Sequence, residues 1–283
     1  MKKSSLRLFL IPILSCVLSL PCYAWNPTAH RVIASIAYER LKPSSRKIVD
    51  ALVQELAGEY HASMTYDSMA TWPDNIRSQK IDIFSHWHYI DYAFSADNTP
   101  LKNLVDTDNA VWALEKIKPV VSNEKANPSE RARFLAFLTH IVSDLHQPLH
   151  AASRISAQYP DGDKGGNLYL IRQGVNNLKS KNLHSLWDSG LGAFDCAPTP
   201  ENINALAHTL TALYPEKNYE AEVKELHPES WAKESNQLAT SVVYTTPENQ
   251  IPSPNYVESS KRISEERVAL AGYRLAALLN QLL

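Results

Sequence analysis

The sequence predicts an all-α protein, and three observations carry that prediction. Seven segments repeat apolar residues at three- and four-residue spacing. Only two short stretches have the look of strands. No internal repeat, low-complexity tract or linker divides the chain, which favours one mostly helical domain.

The first element is not part of that domain. Lys2, Lys3 and Arg7 precede the apolar run "LFLIPILSCVLSL" and the small-residue end "PCYA", the pattern of a signal peptide over residues 1–24 cut after Ala24. The run is too short to cross a bilayer comfortably and Pro12 interrupts it, so no membrane span is expected. Pro21 argues against a lipoprotein cut before Cys22. The mature domain is then residues 25–283, with Trp25 as its new N-terminus.

Within that domain "TAHRVIASIAYERL" is a helix that Thr28 can cap, and "PSSRKIVDALVQEL" repeats the pattern after Pro43. "DNAVWALEKIKPVV" and the segment from Pro128 to His146 follow, with Ser129 the expected cap of the second. "ENINALAHTLTAL", "ESWAKESNQLATSVVY" and the closing "SEERVALAGYRLAALLNQLL" complete the helices. "HWHYIDYAF" reads as extended. "NLYLIRQGVNNLKSKNLH" reads as a small β-hairpin turning at Asn176-Asn177. Residues 153–166, with "YPDGDKGG", read as a polar loop.

Charge and cysteine use narrow the function classes. The leader carries three basic residues and no acidic one, so the formal charge of −2 becomes −5 on its removal. That disfavours a purely electrostatic nucleic-acid binder, and any phosphate chemistry would need metal ions for positive charge. Cys16 and Cys22 leave with the leader and only Cys196 remains, so an exported chain would have no internal disulfide. No usable Asn-x-Ser/Thr acceptor occurs either. Both facts suit a bacterial periplasmic or secreted protein.

Coordinating side chains are concentrated in a few apolar settings. His140 and Asp144 lie four apart, on one face of a helix. His184 and Asp188 repeat that spacing; His150, His88, Asp74 and His30 stand in similar surroundings. A lone histidine on an apolar face is more often a satisfied core residue than a ligand. Two His-x3-Asp pairs shift that balance, because a buried carboxylate is costly unless paired or bound to metal. Imidazoles and carboxylates without thiolates suit zinc in a hydrolytic site. Signal cleavage would add the Trp25 α-amine as a further donor beside His30.

The ordered motifs "WNPTAH", "WPDNIR", "WHYID", "DLHQPLH", "GDKGGN" and "NLHSLWD" make the chain similar to the S1/P1 nuclease family, over nearly the whole mature length. The resemblance implies a mostly helical fold, of the phospholipase C / P1 nuclease type, around a trinuclear zinc cluster. It implies one ion held by Asp74, His88, His140 and Asp144, a second by Trp25, His30 and the bridging Asp144, and a third by His150, His184 and Asp188. His146 is left with a structural role, and His61, His86, His208 and His227 with none at the site. Zinc lowers the pKa of bound water to about 7, and Asp74 is expected to orient that nucleophile. Arg77 matches the family's phosphate-contacting arginine. Tyr89 and Asp91 fall where the family stacks a base and reads its edge.

The implied activity is hydrolysis of single-stranded DNA and RNA to 5′-phosphate products, with 3′-nucleotidase action on 3′-mononucleotides. The chain is expected to work as a monomer with no protein partner. Two rivals stand beside this expectation. Zinc-dependent phospholipase C resembles the family in fold and ligands, but the short Trp25-to-His30 spacing and the aspartate at 188 argue against it. A non-catalytic zinc-binding protein explains the ligands but not Arg77 or "HYID".

Overall fold

Proline sets the helix starts. In the computed structural model, which describes residues 25–174 and 177–283, six helices have proline as their first residue. The missing N–H costs nothing there and φ is already helical. These are α1 (Pro27–Glu39), α2 (Pro43–Glu59), α6 (Pro128–Asp144), α8 (Pro200–Leu213), α10 (Pro228–Ser241) and α11 (Pro254–Leu282). Between them lie α3 (Tyr66–Met69), α4 (Trp72–Ser78), α5 (Ala110–Ser122), α7 (Leu183–Asp188) and α9 (Glu220–Lys224). The expected all-α class is what the chain adopts. The leader assigned to residues 1–24, and Asn176 of the hairpin turn, lie outside the described residues.

The proline starts also move two caps. Asn26, not Thr28, caps α1: its side-chain oxygen accepts from Ala29 N at 3.0 Å, while Thr28 Oγ1 donates to Cys196 O at 2.7 Å. Asn127, not Ser129, caps α6 and accepts from Ser129 N at 2.9 Å; Ser129 Oγ turns to Glu55 instead. A cap must precede the first helical residue, and proline fixes that residue. The last helix starts ten residues earlier than its apolar pattern, at Pro254. Tyr256 anchors that polar first turn: its hydroxyl accepts from Trp187 Nε1 at 2.9 Å and donates to Val243 O at 2.7 Å.

The extended reading of "HWHYIDYAF" is corrected over its first half. Ser85–His88 is a 3-10 turn, and only β1 (Ala93–Ser95) is a strand. Three-residue periodicity brings Phe84 and Trp87 to one side. There both pack on Phe137, with centroids 4.9 and 5.1 Å away. The stretch read as a loop contributes β2 (Ser153–Ile155), which pairs in parallel with β1. The hairpin is present as antiparallel β3 (Leu170–Gly174) and β4 (Asn177–Asn182), but His184 lies beyond it on α7.

Helix α6 runs through the middle of the core. Every residue from Leu135 to Leu145 is buried. Helix α11 closes against α1 so tightly that a Cβ at Gly272 would lie 2.5 Å from Ile36 Cγ2. A second, smaller apolar cluster around Trp187, Tyr169 and Tyr256 underlies the hairpin and α7. The C-terminal end of α6 therefore projects its polar side chains into an enclosed space between α1, α4 and α7. Among the described residues no helix is long and apolar enough to cross a membrane.

Candidate metal centre

Three buried groups of imidazoles and carboxylates converge at the end of α6. They are His30, His140 and Asp144; Asp74, His88 and His140; and His150, His184 and Asp188. Within the first two, Asp144 Oδ1 is 3.4 Å from His30 Nε2, and its Oδ2 is 3.3 Å from His140 Nε2 and 3.2 Å from His88 Nδ1. Asp74 Oδ1 is 3.6 Å from His140 Nε2 and 3.8 Å from His88 Nδ1. His150 Nδ1 stands 3.9 Å from Asp144 Oδ2, so the third group adjoins the others. All eight side chains are buried.

Backbone carbonyls fix which imidazole nitrogens face the cluster. His140 Nδ1 donates to Ala70 O at 2.8 Å, His150 Nδ1 to His88 O at 2.6 Å, and His184 Nδ1 to Gly165 O at 2.6 Å. A carbonyl only accepts, so each Nδ1 carries the proton and each Nε2 presents a bare lone pair. Yet His150 Nε2 and His184 Nε2 lie 3.1 Å apart. Two lone pairs at that distance repel unless a cation lies between or beside them. Both ring nitrogens of His30, both oxygens of Asp74 and Oδ1 of Asp144 are buried without a hydrogen-bond partner. Unpaired buried polar atoms are expensive, and divalent ions would satisfy the carboxylate oxygens and the unprotonated nitrogen of His30.

The electrostatics point the same way. Burial works against charge on both His140 and Asp144. It is overcome: the Asp144 and Asp74 carboxylates raise His140 to about 9, and the facing imidazoles hold Asp144 well below the ordinary carboxylate range. The carboxylates thus favour positive charge beside His140, which a metal ion at its Nε2 would supply in place of a proton. Burial pushes Asp74 up and His30 well down, and lowers His150 to about 3, leaving neutral imidazoles suited to coordination.

Trp25 sits beside this cluster. Its indole Nε1 donates to Ser143 O at 3.0 Å, next to Asp144, and Asn26 N donates to Asp188 O at 2.9 Å. The N-terminal segment therefore lies between the His30 group and the His184 group. Arg77, one helical turn after Asp74 on α4, lines a cavity of about 640 Å³ together with Tyr89, Asp91, His150 and His184. Tyr89 and Asp91 are half-buried there, and Tyr89 OH donates weakly to Asp106 at 3.5 Å. Burial, with Asp106 and Asp163 nearby, raises Asp91 to about 7.

His146 points away from the ions. Its Nδ1 donates to Val142 O at 2.8 Å and its Nε2 accepts from Arg274 at 3.0 Å. His61, His208 and His227 are exposed, and His86 pairs with Asp108 near the Tyr89 ring. Sequence reasoning overlooked two supporting residues that lie inside its own motifs. Gln147 of "DLHQPLH" donates to Asp188 Oδ1 at 2.6 Å and accepts from Leu149 N at 2.6 Å. Asp163 of "GDKGGN" is fully buried and accepts from Arg154 N, Gly166 N and Tyr244 OH. It thereby shapes the loop that offers Gly165 O to His184. A Cβ at Gly165 would come within 2.4 Å of Leu149 O, so only glycine fits. The motif's own Asp and Gly letters were the available signal.

Thiolate-free cages of this kind, set beside an arginine and an aromatic wall, define a metal-dependent hydrolase. The particular family follows from comparison with known proteins. The model of the S1/P1 nuclease family matches residues 25–283, and the chain belongs to that family. It is similar to Nuclease S1 of Aspergillus oryzae (strain ATCC 42149 / RIB 40), 27% identical over 297 residues and 96% of each chain. It is also similar to Endonuclease 2 of Arabidopsis thaliana, 25% identical over 92% of this chain and 91% of that protein. Nuclease P1 of Penicillium citrinum is 24% identical over 91% of this chain and 97% of its own. The protein is accordingly a nuclease, a hydrolase of phosphodiester bonds in nucleic acids.

Proposed function

We propose that the mature protein, residues 25–283, is a zinc-dependent endonuclease. It cleaves single-stranded DNA and RNA to 5′-phosphate products and releases phosphate from 3′-mononucleotides. The observation that carries this reading is the pair of bare imidazole nitrogens of His150 and His184, 3.1 Å apart in the same cavity as Arg77 and Tyr89. Three ions would be held: by Asp74, His88, His140 and Asp144; by Trp25, His30 and Asp144; and by His150, His184 and Asp188. Zinc in such a cage supplies Lewis acidity, to phosphoryl oxygens and to water at neutral pH.

The side chains do the positioning. Asp74, whose two oxygens have no hydrogen-bond partner, would orient the attacking water as well as hold an ion. Arg77 offers its planar fork to a phosphoryl oxygen of the scissile group. Tyr89 stacks a base, and Asp91 beside it reads the base edge. Stacking contributes about 1–3 kcal/mol per base and accepts any base. A base reaches such a pocket only when unstacked, which supports a preference for single strands.

Export with cleavage after Ala24 is part of the proposal. It is supported by the basic-then-apolar leader and by a family match that begins at Trp25. The lone exposed Cys196 fits a periplasmic or secreted monomer held together without disulfides.

The test is phosphate release and strand cleavage by purified mature protein on denatured DNA, RNA and 3′-AMP, with and without EDTA. Chelator-sensitive cleavage of all three, restored by zinc, is expected. Hydrolysis of a phosphatidylcholine analogue but of no nucleic acid would favour the phospholipase instead. Bound zinc without any hydrolysis would leave only the storage role.

A further inference from the structure

We propose that Lys164 is a second phosphate-binding residue, engaging the phosphate that flanks the scissile one and so favouring oligonucleotides over mononucleotides. The proposal rests on the nuclease reading above. Lys164 is exposed and lines the same cavity as Arg77, Tyr89 and His184. Its place in the chain ties it to the third ion group, because the next residue is the Gly165 whose carbonyl orients His184.

The backbone at this point is unusual. Lys164 has φ 56°, a left-handed conformation that crowds a Cβ and that glycine would adopt more readily. The neighbours hold it there. The Lys164 carbonyl accepts from Asn167 N at 3.2 Å and from Asn167 Nδ2 at 2.8 Å, and Gly165 is pressed against Leu149 O. The fold thus keeps a long cationic side chain at the cavity wall in a backbone state that does not favour it.

Charge around the cavity assigns the role. Its lining cations are Arg77 and Lys164, against the carboxylates of Asp91 and Asp161. Asp161 is paired with Lys102, and Lys164 forms no ion pair with another described residue. Arg77 belongs with the Asp74 side, where its charge acts on Asp74 and Tyr89. A polynucleotide brings one negative charge per nucleotide to a protein that is acidic overall, and Asp106 and Asp108 stand near Tyr89. The scissile phosphate has Arg77 and the ions. Lys164, beside the His184 group, remains for its neighbour.

Kinetics on defined thymidylates test this. TpT carries only the scissile phosphate, whereas pTpT and TpTp add one on either side, the 3′ one of TpTp supplied as a methylenephosphonate because the proposed 3′-nucleotidase would remove an ordinary ester. The wild-type enzyme should cleave pTpT or TpTp with kcat/KM about tenfold above TpT, the size of one charge-assisted contact. That advantage should fall with rising salt, with a slope of about −0.7 for the one added phosphate. Lys164→Met should lose about tenfold more on the flanked substrate than on TpT, and the extra salt slope should vanish. Lys164→Gly relaxes the backbone while removing the charge and should behave the same way; Lys164→Arg should retain the advantage. Parallel losses on TpT and the flanked substrate, a persisting advantage in both charge-removing variants, or no advantage in wild type would each overturn the proposal. Failure of wild type to cleave either TpT or denatured DNA would instead sink the nuclease reading itself.

Discussion

Gln147 shows how one neutral side chain can serve one ion and not its neighbours. Its amide nitrogen holds Asp188 Oδ1 at 2.6 Å, and its amide oxygen caps the turn that carries His150. Among the described residues its side chain touches no ligand of the other two groups. Removing such a partner commonly costs 10- to 100-fold in metal affinity. Gln147→Ala should therefore lower affinity for one of three ions by about that factor and leave the other two in place. Titration against a competing chelator with zinc analysis reads this directly; three ions bound with wild-type affinity would refute it. Arg77→Ala should lower kcat/KM by about tenfold or more while zinc content stays at the wild-type level, as the proposed role of its fork on phosphate rather than metal requires. At this scale the sequence was most informative where residue type and spacing both carry chemistry. His140 and Asp144 could be placed on one helix face from their spacing alone. The carbonyl partners that set the imidazole tautomers could not, because Ala70, His88 and Gly165 contribute backbone atoms that no side-chain letter announces.

At the scale of elements, the end of α6 is braced by a charge network contributed by α10 and α11. Glu234 accepts from Arg274 twice, at 2.7 Å each, and from Arg267 at 2.9 Å; Arg267 also donates to His146 O at 3.2 Å. Two cations here also suit the negative end of α6. Burial pushes the Glu234 carboxyl up, but the hydrogen bonds and charges of the two arginines outweigh it and hold the group below its ordinary 4.5. A depressed carboxyl stabilises the fold above the unfolded value, and that contribution disappears as pH falls through the folded one. Glu234→Gln should thus melt below wild type at pH 7, and the gap should close as the pH is taken below about 4. Thermal melts across that range decide it; a gap independent of pH would remove the ionic account. The network was not legible in the sequence. Its members are 33 and 40 residues apart, and each alone reads as a solvated helix charge. The seven longer helices were legible from apolar spacing, but the short α3, α4, α7 and α9 were not, being too brief to show a period, and helix starts were not, because proline and a preceding cap decide them. The 3-10 turn at Ser85–His88 was misread for a related reason: aromatic residues favour strands locally, and only Phe137 across the core reveals why they repeat every third position.

Over the whole molecule, the proposed ions would act as cross-links between segments far apart in sequence. The candidate ligands come from α1, α4, α6, α7 and two 3-10 turns, so the proposed ions would tie together segments from His30 to Asp188. An ion that binds only the folded state at a hundred times its Kd adds about 2.7 kcal/mol. For a domain near this size each kcal/mol shifts the melting temperature by roughly 2–4 °C. Loss of even one ion should therefore lower Tm by about 5–10 °C, and loss of all three by considerably more. Calorimetry before and after chelation, with zinc analysis showing that the metal has left, checks this; an unchanged Tm in metal-free protein would deny the ions a structural role. The N-terminus extends the same reasoning. Trp25 is fully buried beside Ser143, and Asn26 N bonds Asp188 O, so the segment lies at the cluster, and the proposed amine ligand becomes available only when the chain is cut before Trp25. A retained methionine or tag before Trp25 should convert the proposed amine ligand to an amide, which binds metal poorly. Such an extended protein should hold one ion less tightly, with reduced cleavage of denatured DNA, and exact removal of the extension by a protease should restore both. Full activity and full zinc content with Trp25 verified as internal would show that the amine is not a ligand.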